Sequence, residues 1–232
     1  MTARLDSLPD LTRADVGAAL FSNWRLGTPE RQQAAVDAIG AAWESRPWPT
    51  PDLRSYTVFA STDGETLLHY SQWADDDAYH AFVRTHRRQR VNEIDTAVPG
   101  IERYGLTSYR RYRSTEPTAE TRAPRCFVTV KVEFDGPDVP RARAWVDGVF
   151  NAAAADAAIP AGLIAAHFHV STDGSKVLNF AEWTSEQAHQ DVLDTTGTRS
   201  ATARAARDFP GVRNLTITRH RFALHLAAPA NQ

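Results

Sequence analysis

From residue 126 to 134 the chain alternates, with Val128, Val130 and Val132 on one side and Thr129, Lys131 and Glu133 on the other. A period of two marks a strand with one buried face. Then the period changes. Ala142, Trp145, Val146, Val149, Phe150 and Ala153 recur at three- and four-residue spacing, which predicts an amphipathic helix. The earlier part of the chain shows the same order. An apolar run over 18–24 precedes Thr28-Pro29, a good N-cap and first-turn pair, and Ala35, Ile39, Ala42 and Trp43 then share a helical face.

Two further runs follow in each half, joined by Asp-Gly: 54–61 and 65–73 around Asp63-Gly64, and 163–171 and 175–183 around Asp173-Gly174. Asp-Gly accepts the positive φ angles of a tight turn, so each pair predicts a hairpin. A second helix starts after Trp73 and after Trp183, with Asp75 and Thr184 as caps. Its inward face is expected to carry Tyr79, Phe82, Val83, His86 and Ile94 in the first half, and His189, Val192, Leu193 and Thr196 in the second. Pro99-Gly100 and Pro210-Gly211 stop these helices, and final strands are predicted over 101–112 and 212–224.

The halves are copies of one unit. Ser61-Thr62-Asp63-Gly64 returns as Ser171-Thr172-Asp173-Gly174, and Trp73 returns as Trp183 at the same 110-residue offset. A repeat of this length sets the architecture. The element order in each copy is β-α-β-β-α-β, the ferredoxin-like split βαβ unit. The expected class is therefore α+β, with one domain over 14–113, a polar linker with two prolines over 114–124, and a second domain over 125–226. A four-stranded sheet with helices on one side leaves its other face uncovered. The expected solution packs the two sheets face to face, an intrachain pseudo-dimeric α+β barrel.

With 232 residues, 42% of them hydrophobic, the chain can bury a sizeable core. A formal charge of −2 gives no electrostatic case for nucleic acid or an anionic membrane. The only cysteine is Cys126, so no internal disulfide can form, and neither a signal-peptide pattern nor a membrane-length apolar run is present. These features predict a soluble, cytoplasmic protein. Lys131 and Lys176 are the only lysines, so arginine abundance by itself carries little functional information.

The chemistry is expected in the third strand of each copy. Leu67, His69, Ser71 and Trp73 share one face, as do Val177, Asn179, Ala181 and Trp183. Leu68, Tyr70, Leu178 and Phe180 are more uniformly apolar and are assigned to sheet-on-sheet packing. The other face then lies under the helices, where His69 or Asn179 forms a polar spot in an apolar cleft, the pattern of a small-molecule pocket. An unpartnered buried amide costs about 1–3 kcal/mol, which makes Asn179 a candidate ligand contact. His69, with an ordinary pKa near 6.5, is a candidate base. Tyr56, Tyr79, Phe82 and His86 would give the first cleft an aromatic, titratable lining, and His189 faces the second. His167 and His169 share a strand face, but no third ligand at a recognisable spacing completes a metal site. The run Arg84, Arg87, Arg88 and Arg90 reads as a solvated helix face, with docking of an acidic carrier protein as the alternative. No Gly-rich phosphate loop, nucleophile elbow or Cys-His arrangement is present, which argues against nucleotide-dependent and acyl-transfer enzymes.

The duplicated unit, the strand-ending Trp73 and Trp183, and the Asp75-Asp76-Asp77-Ala78-Tyr79 that follows the first of them resemble the antibiotic biosynthesis monooxygenases of the dimeric α+β barrel superfamily. The resemblance implies oxidation of an aromatic polyketide, such as an anthrone to a quinone, with O2 as co-substrate and no flavin, haem or metal. It also implies a site built from a first-strand Asn, a third-strand Asn four residues before the Trp, and the Trp itself. On that pattern the first copy supplies Asn23 and Trp73 with His69 in the second Asn position. The second supplies Asn179 and Trp183, with Lys131 or a neighbour on the first strand. A helix arginine used by some relatives would correspond to Arg204 in the second copy, with Arg90 or Glu93 nearby in the first. The polar residues differ between copies, so unequal work by the two halves is expected. An aromatic polyketide cyclase and a non-catalytic ligand-binding barrel are the alternative readings. The partner expected is a small aromatic substrate, and either a monomeric pseudo-dimer or a homodimer is open.

Overall fold

The computed structural model of the chain describes residues 1–115, 118–156, 159–195 and 197–229. They fall into two compact units, one of residues 1–108 with the C-terminal stretch from Arg221, the other of residues 109–220. In the first unit, β1 (Ala3–Arg4) is followed by β2 (Ala18–Arg25), α1 (Pro29–Glu44), β3 (Leu53–Ser61) and β4 (Thr66–Trp73). Next come α2 (Asp76–Phe82), a π-helical turn (Val83–Arg87), α3 (Arg88–Ala97) and the start of β5 (Glu102–Ser114). The second unit contains β6 (Cys126–Phe134), α4 (Val139–Ala155), β7 (Leu163–Ser171), β8 (Lys176–Trp183), α5 (Glu186–Thr195), α6 (Ala201–Arg207) and most of β9 (Val212–Ala227).

Strand order in the first unit is β3–β4–β2–β5, and in the second β7–β8–β6–β9. Each is second, third, first, fourth, the ferredoxin-like arrangement. The division between units falls inside β5 and β9 rather than at 114–124. The cause is strand length. β5 has 13 residues, and its Tyr109–Ser114 part pairs with β7 in the second unit; β9 has 16, and its end pairs with β1 in the first. The Thr115 N–H continues the β7 ladder by donating to the Ala166 carbonyl at 2.9 Å, so the start of the predicted linker is strand-like in its bonding. Residues 116 and 117 of that segment, and Thr196, lie outside the described residues.

The repeated Ser-Thr-Asp-Gly has a mechanical explanation. Ser61 Oγ donates to Asp63 Oδ1 at 2.5 Å and accepts from the Thr66 N–H at 2.9 Å, while Asp63 Oδ1 also accepts from the Glu65 N–H. Ser171, Asp173, Ser175 and Lys176 repeat these bonds. Only the glycines take positive φ, at 79° for Gly64 and 74° for Gly174. A Cβ on Gly174 would lie 2.2 Å from the Val139 nitrogen, because the turn closes against the start of α4. Gly174→Ala is therefore expected to destabilise by more than the ~1–3 kcal/mol of backbone strain alone, read as a lower urea midpoint.

Helix caps follow the local chemistry. Thr28, Asp75 and Asp138 accept the N–H three residues on. The cap of α5 is Ser185, not Thr184, since Ser185 Oγ accepts from the Ala188 N–H while the Thr184 N–H is spent on the Gly162 carbonyl. In the first unit, Leu67 and Trp73 pack with Ile39, Trp43 and Ile94 beneath the helices. The opposite face buries Phe21, Phe59, Leu68 and Tyr70, with Phe21 and Tyr70 stacked at 4.6 Å. In the second unit, Trp145, Val149, Phe168 and Trp183 form the core, and the Trp145 indole N–H ties α4 to α6 through the Ala206 carbonyl. No described helix is long and apolar enough to cross a membrane.

Candidate functional site

A cavity of about 340 Å³ opens in the first unit between the sheet and its helices, a size within the usual range for small-molecule sites. Its floor comes from alternate strand positions: Leu20, Ser22 and Trp24 on β2, Tyr56 on β3, and His69, Ser71 and Trp73 on β4. Antiparallel pairing sets Ser22 beside His69 and Tyr56 beside Ser71. Trp43 of α1 and Tyr79 and Phe82 of α2 supply aromatic walls. Trp43 stands 4.8 Å from Tyr56 and 5.7 Å from Phe82, ring centre to ring centre.

At the polar end, the Tyr56 hydroxyl and His69 Nδ1 lie 2.6 Å apart, and the imidazole packs on Trp24 at 4.1 Å. Burial pushes the Tyr56 hydroxyl pKa up, against the pull of Arg103 and Arg87. Burial, aided by Arg103, pushes His69 down to about 3. The phenol is thus a proton donor and the imidazole neutral. With Tyr56 donating to Nδ1, the ring proton is assigned to Nε2. That atom is buried and has no hydrogen-bond partner among the described residues. The expected base is instead a neutral imidazole, because the imidazolium would be desolvated beside a guanidinium. Trp73 is fully enclosed, and its indole N–H donates to Ser71 Oγ at 2.8 Å.

Three guanidiniums complete the lining. Arg87 is half-buried and makes no hydrogen bond or ion pair among the described residues. Arg90 is 4% exposed and lies over the Trp43 ring at 4.7 Å. It donates to the carbonyls of His86 and Pro47, and its Nε has no partner. Glu93, one turn away, is taken by Arg46. Arg103 rests on Trp24 at 4.3 Å and bonds Asp95 at 2.6 Å. Among the described residues no Asp or Glu lines the cavity.

The π-helical turn takes Arg87 and Arg90 off the expected solvated face and into the cavity lining. After Tyr79 and Phe82 the next lining residue is Arg87, five positions on, followed by Arg90, Val91 and Ile94. The extra residue rotates the following turns. Val83 and His86, expected inward, are exposed, and the His86 ring stacks on Phe82 with centroids 6.2 Å apart. Arg84 and Arg88 do face solvent. Arg103 carried no sequence signal at all.

Asn23 lies on the other face of the sheet, paired with Leu68, so Ser22 and Trp24 stand in the cavity and Asn23 does not. In the second unit the same register puts Val130 where the first has Ser22, Ala166 for Tyr56, Asn179 for His69 and Ala181 for Ser71. Asn179 Oδ1 and the Trp183 indole N–H are both buried without partners among the described residues; for Trp183 the cause is that Ala181 cannot take the bond that Ser71 accepts from Trp73. His189 packs edge-on to Trp183 at 5.0 Å and accepts from Arg219 Nε at 2.9 Å; burial lowers it to about 4. His167 is held by Ser114 Oγ at 2.9 Å, with Glu182 3.6 Å from its Nε2. Arg204, expected near the ligand, is exposed on α6 and donates to the Arg199 carbonyl. Lys131, in the register position of Asn23, pairs with Glu133 at 2.7 Å.

Solved structures share this fold over nearly the whole chain. An anthrone oxidase-like protein superposes with a TM-score of 0.69 at 15% identity, covering 94% of this chain and 98% of its own. At this identity the likeness shows a shared fold. An inferred monooxygenase from Lactobacillus acidophilus NCFM gives a TM-score of 0.54 at 10% identity over 91% of this chain and 96% of that one. A point mutant of chlorite dismutase from Candidatus Nitrospira defluvii gives 0.53 at 11% over 90% and 92%. No family model and no curated protein matches the sequence. A fold carried by differently named proteins leaves the chemistry to be argued from the cavity.

Proposed function

We propose that the first unit is a monooxygenase site for a phenolic polycyclic aromatic of the anthrone type, using O2 and no organic or metal cofactor. The observation that carries this is the aromatic cavity in which the partnerless His69 Nε2–H and the cationic side chains converge. Aromatic walls suit a flat ring system. A phenol or enol at His69 loses its proton more readily beside Arg103, whose charge favours the anion. His69 Nε2–H then donates to the substrate oxygen, and Tyr56 on Nδ1 keeps that proton in place. This is electrostatic stabilisation by a preset donor rather than proton abstraction by histidine.

In the reaction, the substrate anion transfers one electron to O2, and the resulting carbon radical and superoxide combine to a peroxide at the methylene carbon. The proton released to solvent on ionisation is regained at the outer peroxide oxygen, which leaves as water with the remaining C–H proton, and a carbonyl is left there. One CH2 becomes C=O, and the second oxygen atom of O2 leaves as water. The second unit, with Ala166 and Ala181 in place of Tyr56 and Ser71, serves chiefly as scaffold in this reading.

The test is oxygen uptake with 1,8-dihydroxyanthrone, using protein dialysed against EDTA. One O2 consumed per quinone formed is the expected result, with no loss of rate after dialysis. A product formed equally well under argon would replace this reading with a cyclase. Saturable binding with no turnover in either gas would leave a binding protein.

A further inference from the structure

Arg87, Arg90 and Arg103 line one cavity rich in aromatic rings; among the described residues no carboxylate lines it, and of the three only Arg103 has an acidic partner. Burying a guanidinium without a counter-ion is costly, and structures normally pair it. Arg90 is almost wholly enclosed yet has only carbonyl oxygens, while the nearest acid, Glu93, is bound to Arg46. The Arg87 side chain has no hydrogen-bond or ion-pair partner among the described residues; the charges nearest it in sequence are the exposed Arg84 on its own turn and Arg88 at the start of α3, and Tyr79 and Tyr56 are neutral. The cavity thus carries unmatched positive charge set among aromatic rings.

We infer that the ligand of this cavity carries an ionised carboxylate on its aromatic framework, held by Arg87 at the open end with Arg90 behind it. The carboxylate is separate from the phenolic oxygen at His69. A planar guanidinium can grip it through two parallel N–H donors. The inference rests on the reading of the cavity as an aromatic site and adds the charged group that would select among aromatics of similar shape.

The experiment measures binding, not oxygen uptake, so its outcome is independent of the oxygenase chemistry. Tryptophan-fluorescence titration at pH 7.5 compares 4,5-dihydroxyanthraquinone-2-carboxylate with 1,8-dihydroxyanthraquinone, which lacks the acid. The carboxylate is expected to bind about tenfold more tightly, a factor equivalent to about 1.4 kcal/mol. Arg87→Gln should bring the two affinities together by weakening the carboxylate alone, and Arg87→Lys should restore part of the difference. The preference should shrink as salt is raised. Equal affinities in the unaltered protein, or a preference that survives Arg87→Gln intact, would overturn the inference while leaving the aromatic site standing. Failure of both compounds to bind would overturn the aromatic reading as well.

Discussion

His69→Phe is expected to lower kcat/KM for 1,8-dihydroxyanthrone by about 10²–10³, the usual effect of deleting one preset donor to a developing oxyanion. The ring volume and the packing against Trp24 are largely kept, so the loss reports the missing N–H. Tyr56→Phe should cost less, since it frees the imidazole to exchange tautomers but removes no group touching the substrate. The pH profile separates this role from general-base catalysis. Because burial holds His69 near 3, the profile between pH 5 and 9 should follow ionisation of the substrate and show no limb near 6.5. A wild-type limb near 6.5 that disappears in His69→Phe would instead make the imidazole the base.

The second large effect is acid lability between pH 6.5 and 5. His69 and His169 are held near 3, His189 near 4, and His225 is also lowered, in each case chiefly by burial. The charges facing them are Arg103 for His69, His167 and Arg111 for His169, Arg219 for His189 and Arg13 for His225, and these add to the effect. The sign follows from proton counts. Below about 6.5 the unfolded chain binds protons at these histidines and the folded chain does not, so stability rises with pH through this range. It is fully present above 6.5 and is lost as pH falls towards the folded values, at up to about 1.4 kcal/mol per pH unit for each histidine. Carboxylates titrate lower, so the interval from 6.5 to 5 isolates the imidazoles. Urea midpoints should fall steeply from pH 7 to 5, and His169→Leu should flatten that slope. A midpoint unchanged over this interval would contradict the buried neutral state.

The sequence pattern carried the local structure well, for identifiable reasons. The strand over Cys126–Phe134 was legible because its alternation is strict, and the hairpins were legible because Ser61, Asp63 and Gly64 bond to one another and to the start of the next strand. The face shared by His69, Ser71 and Trp73 followed from the two-residue strand period. Helix faces were less secure. The 3.6-residue period placed Tyr79 and Phe82 correctly, then failed at Val83 and His86, because a π turn depends on how the helix seats on its neighbours and leaves no composition signal. Asn23 followed from a family pattern, whereas the pairing register sets Ser22 beside His69 and turns Asn23, beside Leu68, to the other face of the sheet.

By itself, then, the sequence determined two copies of a ferredoxin-like unit, their hairpin turns, and a third-strand polar position under the helices, first His69 and then Asn179. These are properties of neighbours along the chain, where backbone geometry repeats with a short period. Only the tertiary structure decided that Arg87, Arg90 and Arg103 join His69 around one cavity, since they arrive from a helix and a strand whose approach is set by packing. It also decided the protonation of His69. An imidazole's ordinary pKa belongs to water, and it is the burial between Tyr56, Trp24 and Arg103 that keeps this one neutral.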